Sequence, residues 1–152
     1  PKILIADEPT TALDVTIQAQ ILELMKELKE KYNSAVILIT HDLGVVAEFC
    51  DSVAVVYGGR VVEIGKVEEI FGNSHNHPYT KGLINCLPDL TSTAPRLHPI
   101  AGRMGDPRIK VQGCCFADRC PNATEKRKTT PPPMVYEGEH GILCHLYSKE
   151  GA

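Results

Sequence analysis

Two short, continuous apolar runs stand out from an otherwise mixed chain. Ile3-Leu4-Ile5-Ala6 runs into Asp7-Glu8, and Ala35-Val36-Ile37-Leu38-Ile39-Thr40 runs into His41-Asp42. Apolar runs of that length without alternation predict strands covered on both faces, as in a parallel sheet. Between them, Ile17, Ile21, Leu24, Met25 and Leu28 recur at helical spacing, while Glu23, Lys26, Glu27, Lys29, Glu30 and Lys31 fill the other positions. That pattern predicts a helix from residue 15 to about residue 31, capped by Asp14, with one apolar and one solvated face. A shorter helix is expected after Asp42, with Leu43, Val46, Ala47 and Cys50 turned inward. Ser52–Tyr57 and Arg60–Gly65 flank Gly58-Gly59 and predict a hairpin, followed by a short helix over Val67–Phe71.

From residue 72 the periodicity fades. A polar stretch holding His75 and His77 reads as a surface loop rather than a metal site. Pro78 opens a short helix reaching about Cys86, a favoured place for proline. Residues 88–113 carry Pro, Gly and Thr without a period. The remainder holds Pro131-Pro132-Pro133 and the cysteines Cys114, Cys115, Cys120 and Cys144. The expected organisation is therefore α/β over residues 1–72 and an irregular extension over residues 73–152.

Ligands of open α/β sheets sit beyond the carboxyl ends of the strands. Asp7 is the candidate there for Mg²⁺, an ion that prefers carboxylate, water and phosphate oxygens. Glu8 is the candidate for polarising a water, and His41 stands at the end of the second strand. A net charge of −3 gives no broad basic surface for nucleic acid. No apolar run approaches the roughly 20 residues of a membrane helix, so membrane association is expected to come through a partner.

Ile3–Glu8, Thr11-Ala12-Leu13-Asp14 and His41 resemble, in order and spacing, the Walker B strand, D-loop and switch histidine of the ATP-binding subunits of ABC transporters. His77-Pro78-Tyr79-Thr80-Lys81-Gly82-Leu83, Gly113–Pro121 and Cys144-His145-Leu146 resemble the C-terminal extension of the oligopeptide and dipeptide importers within that family. The resemblance implies the C-terminal half of a P-loop NTPase core and the cofactors ATP and Mg²⁺. It implies that Asp7 serves the metal, that Glu8 is the catalytic glutamate, and that His41 contacts the γ-phosphate. Asp14 would touch the opposite subunit across the ATP, and Thr11 keeps the hydroxyl of the Ser often found in that loop. Implied partners are a second ABC ATPase subunit, two transmembrane permease subunits and, indirectly, a peptide-binding protein, at the cytoplasmic face of the membrane. Neither a G-x-x-x-x-G-K-[ST] loop nor a Leu-Ser-Gly-Gly-Gln segment occurs. The expectation is a C-terminal part of a longer protein, inactive and a poor ATP binder alone. Two other readings stand beside this one: a non-catalytic interaction or metal-binding module, and an ABC-type ATPase without a transport role.

By the same resemblance, four cysteines of the extension hold a four-iron, four-sulfur cluster, spaced Cys, five residues, Cys, six residues, Cys, then a distant Cys. Cys114, Cys120 and Cys144 fall on three of these positions, and Arg127 falls on the other. Arginine cannot ligate iron. Cys115 is adjacent to Cys114, and neighbouring side chains of an extended segment point apart. A zinc site adding His140 or His145, or plain free thiols, are the alternatives.

Overall fold

The computed structural model describes residues 1–72, 75–87, 99–106, 108–109 and 111–148. Much of the aperiodic stretch expected over residues 88–113 lies outside the described residues. The chain forms two compact units, Pro1–Asp51 and Ser52–Ala152.

In the first unit, β1 (Ile3–Asp7) pairs in parallel with β2 (Ala35–Ile39), from Ile3 opposite Ala35 to Asp7 opposite Ile39. A parallel pair needs a crossover, and α1 (Val15–Tyr32) supplies it. The Asp14 carboxylate accepts the Ile17 N–H at 3.0 Å and starts this helix. Asn33 ends it in the left-handed conformation (φ 46°), a role asparagine tolerates well.

The expected burial on both faces of β1 and β2 is corrected by the structure. Leu4, Ala6, Val36 and Leu38 are half-buried, whereas Ile3, Ile5, Ile37 and Ile39 on the other face are 48–64% exposed. The composition is right for a two-sided sheet, but among the described residues only one side has a covering layer. The buried stripe of α1 is also rotated from the expected one. Leu22 and Met25 are buried, while Ile17 and Leu24 are exposed. On the buried side α1 is tied to α2 (Leu43–Phe49) and the residues flanking it by Gln18–Asp42, Lys26–Glu48 and Lys29–Asp51 contacts. Positions 18, 22, 25, 26 and 29 share one helical face. In α2 the buried residue is Val45, and Ala47 is exposed.

The second unit is built on a four-stranded antiparallel sheet in the order β3-β4-β6-β5. β3 (Ser52–Tyr57) and β4 (Arg60–Lys66) form the expected hairpin. Gly58 and Gly59 both take positive φ (56° and 75°), as a two-residue primed turn demands. The short helix α3 (Val67–Gly72) and α4 (Pro78–Asn85) follow. Beyond them the extension adds α5 (Glu125–Thr129) and a second hairpin that periodicity did not signal, β5 (Met134–Glu137) and β6 (His140–Leu143). β6 joins β4 through Glu63 opposite Ile142 and Ile64 opposite Gly141. Val55, Tyr57, Val62 and Phe116 form the core. Tyr57 meets Phe116 edge-on at 5.1 Å between ring centroids, a favoured aromatic geometry.

A buried polar network fastens this unit. Glu63 is fully buried and bonds the His140 imidazole at 2.7 Å. Its other oxygen accepts the His77 N–H at 2.9 Å. His77 is no surface-loop residue: it is 1% exposed, and its Nδ1 accepts the Tyr79 N–H at 3.1 Å to cap α4. Asn76 donates to the Ile70 carbonyl, and its own carbonyl accepts the Tyr147 hydroxyl at 2.9 Å. A buried carboxylate is tolerated because each oxygen has a donor.

Burial pushes the His77 pKa down to about 4. Its contribution to stability is complete above the ordinary histidine value of about 6.5 and is lost as pH falls toward the depressed one. From pH 7 to pH 4 that loss is on the order of 3 kcal/mol. His77→Asn keeps an acceptor for the helix cap but does not titrate. Urea unfolding at both pH values should show a smaller acid loss in this variant than in the parent; equal losses would contradict the assignment.

Candidate functional site

Glu8 and His41 are brought together by the ladder of β1 and β2. The Glu8 N–H continues it, donating to the Ile39 carbonyl at 2.9 Å. Glu8 then turns into the left-handed region (φ 49°), a conformation that costs a non-glycine residue free energy and clusters at functional sites. Its carboxylate bonds the Thr11 hydroxyl at 2.5 Å and the His41 Nδ1 at 2.9 Å. Asp7, one residue earlier, is exposed at the carboxyl end of β1.

The loop after Glu8 is closed by its own backbone. The Thr11 N–H donates to the Glu8 carbonyl at 3.2 Å and the Leu13 N–H to the Thr10 carbonyl at 3.3 Å. Ala12 takes a positive φ of 63°. Asp14 ends this loop with one carboxylate oxygen committed to the α1 cap. After β2, the Asp42 carboxylate accepts the Gly44 and Val45 N–H groups at 2.8 and 3.2 Å and the Gln18 amide at 3.3 Å. That fixes the backbone on which His41 stands. The sequence pattern did not reveal the bond from Thr11 to Glu8 or the bridge from Gln18. Thr11 was visible only as a hydroxyl in the loop, and a glutamine on a helix face gives no signal by itself.

The histidine holds the Glu8 carboxyl below its ordinary value, and Thr11 adds to this. In return, the hydrogen bond to Glu8 raises the His41 pKa above 6.5. The glutamate's contribution to the pair is present above its ordinary value of 4.5 and lost as pH falls through the lowered one. The histidine's is present below 6.5 and lost as pH rises through the raised one. The charged pair therefore persists between those limits. The His41 side chain is 78% exposed, so salt screens the pair.

In the second unit, Cys114, Cys120 and Cys144 line one cavity of about 20 Å³ together with Arg127 and His145, room for about one water. Burial pushes the thiols of Cys114 and Cys144 up. Arg127 occupies the remaining ligand position of the cysteine pattern, and its Nη1 donates to the Asn122 carbonyl at 2.6 Å. The candidate zinc ligands have other partners: His140 is paired with Glu63, and His145 Nε2 donates to the Thr130 carbonyl at 3.0 Å. No group of three or more His, Cys, Asp or Glu side chains among the described residues is arranged to hold a metal ion. The residues present do not fit a four-iron, four-sulfur cluster.

Comparison with known proteins agrees with the resemblance of the chain to peptide-importer ATP-binding subunits. The family model "Oligopeptide/dipeptide transporter, C-terminal region" matches residues 62–126. The oligopeptide transport ATP-binding protein AppD of Bacillus subtilis is 49% identical over all of this chain and 46% of its own length. The dipeptide transport ATP-binding protein DppD of the same organism is 58% identical over 96% of this chain and 44% of its own. The oligopeptide transport ATP-binding protein OppD of Salmonella typhimurium is 51% identical over 87% of this chain and 39% of its own. The chain spans about half the length of the curated relatives it matches. Over most of its length the chain is thus similar to part of the oligopeptide and dipeptide transport ATP-binding proteins, and its residues 62–126 match the C-terminal region of that transporter family.

An NMR titration of the His41 imidazole should give a midpoint above 6.5 in the parent chain, falling toward 6.5 in Glu8→Gln. An unchanged midpoint in the variant would remove the carboxylate as the cause.

Proposed function

We propose that residues 1–72 supply the hydrolytic edge of an ATPase subunit that energises uptake of di- or oligopeptides, and that residues 73–152 form its importer-type extension. The contact of Glu8 with His41 at 2.9 Å carries this reading. It joins an acid and an imidazole at adjacent strand ends, where α/β proteins hold ligands. The exposed apolar face of β1 and β2 supports it as well, because a two-strand parallel sheet needs further layers. The occupant we assign to that face is the remainder of the nucleotide-binding core.

Asp7 offers hard oxygens at the strand end, a donor type that suits Mg²⁺. Bound there with ATP, the ion would neutralise charge on the phosphates. Glu8 is the general base for the attacking water. In the resting arrangement both of its oxygens are engaged, by Thr11 and His41. Accepting a proton therefore requires one of those bonds to yield, and the exposed His41 side chain is free to turn toward a terminal phosphate. Asp14 helps hold the loop that would face a second ATPase subunit. No helix among the described residues is long and apolar enough to cross a membrane. Attachment to the cytoplasmic face of the membrane would thus run through two permease subunits, with a peptide-binding protein delivering cargo. An iron–sulfur cluster on Cys114, Cys120 and Cys144 forms no part of this proposal.

Glu8→Gln in the full-length protein should retain ATP binding and lower turnover by about 10²-fold or more, the scale of a lost general base. Steady-state phosphate release and nucleotide-binding titrations separate the two effects. Undiminished hydrolysis would remove Glu8 from the role.

A further inference from the structure

We infer that the three-thiol pocket is a metal-free packing site, whose three thiols and Arg127 do not fit an iron–sulfur cluster. The inference does not depend on the ATPase reading. Cys114, Cys120 and Cys144 already converge on one cavity. Arg127 lines the same cavity from α5, so the missing ligand is a matter of side-chain chemistry and not of chain path. The backbone at this point is tightly fixed. The Arg127 carbonyl accepts the Cys114 N–H at 3.0 Å. A Cβ placed on Gly113 would come within 2.2 Å of the Lys128 carbonyl oxygen, so only glycine lets the two segments approach.

The guanidinium has no lone pair to give a metal and stays charged. It repels a cation from the pocket and spends its hydrogen bonding on the Asn122 carbonyl. That bond ties Asn122 to α5, a cross-link of the kind a bound metal makes between its ligating segments. Cys115 does not supply the missing ligand. It is absent from the pocket lining and packs instead against the Val55, Tyr57, Val62 and Phe116 core. The three thiols serve as small apolar groups.

The test is metal content of the full-length protein after anaerobic reconstitution with ferrous iron and sulfide, and separately after incubation with zinc. The native protein should emerge colourless, with no stoichiometric iron, sulfide or zinc. Arg127→Ala removes the charge without adding a thiolate and should stay free of iron. A stoichiometric cluster or zinc ion in the native protein or in Arg127→Ala would overturn the inference.

Discussion

The parallel register of β1 on β2 is the constraint on which the first unit depends. Its last pair sets Asp7 opposite Ile39, and one further backbone bond ties Glu8 to the same carbonyl group of β2. A slip of one residue would move every side chain to the opposite face. It would also carry Glu8 out of reach of His41, which stands only two residues beyond Ile39. The left-handed turn at Glu8 depends on the same register, because strain of that kind persists only where the surroundings over-determine it. Thr11 and His41 supply that over-determination, each holding one carboxylate oxygen.

Elements governed by local rules were legible in the sequence. Asp14 and Asp42 cap helices as their positions implied, and Gly58-Gly59 makes the tight turn of a hairpin. Both apolar runs are strands, and Glu8 and His41 face one another across their ends. What periodicity could not give was which side of each element has a neighbour. The α1 stripe of Leu22 and Met25 lies on the side where ion pairs and an amide bridge reach α2 and its flanking residues, partners that a helical wheel does not contain. The open face bearing Ile3 and Ile5 is a similar case: an apolar run reports what a strand wants to bury, not what is present to bury it.

Non-local polar pairing was the least legible feature. Glu63 is a charged residue in an otherwise largely apolar strand, yet it is fully buried, and His140, 77 residues away, supplies a partner. His77 looked like part of a polar loop because polar residues surround it. Its burial goes with one local bond, from the Tyr79 N–H, and one distant acceptor, Glu63, that only the fold brings together. Breaking such a pair by removing one partner leaves an uncompensated buried group, a cost of about 3–5 kcal/mol. The network therefore holds β6, and with it the second hairpin, against β4.

The cysteine pocket shows how a backbone frame can be fixed independently of the side chains it carries. A backbone contact at Gly113 and the bond from Cys114 to the Arg127 carbonyl would hold with either arginine or cysteine at position 127, since both use main-chain atoms. Selection for packing and selection for a ligand thus act on different atoms of the same residue. The buried Cys144 and the half-buried Cys114 and Cys120 cost little as thiols, because sulfur packs as an apolar group. Arg127 finds a carbonyl acceptor within the same turn of chain. Neither feature disturbs the aromatic core of Tyr57 and Phe116, against which Cys114 and Cys120 also pack.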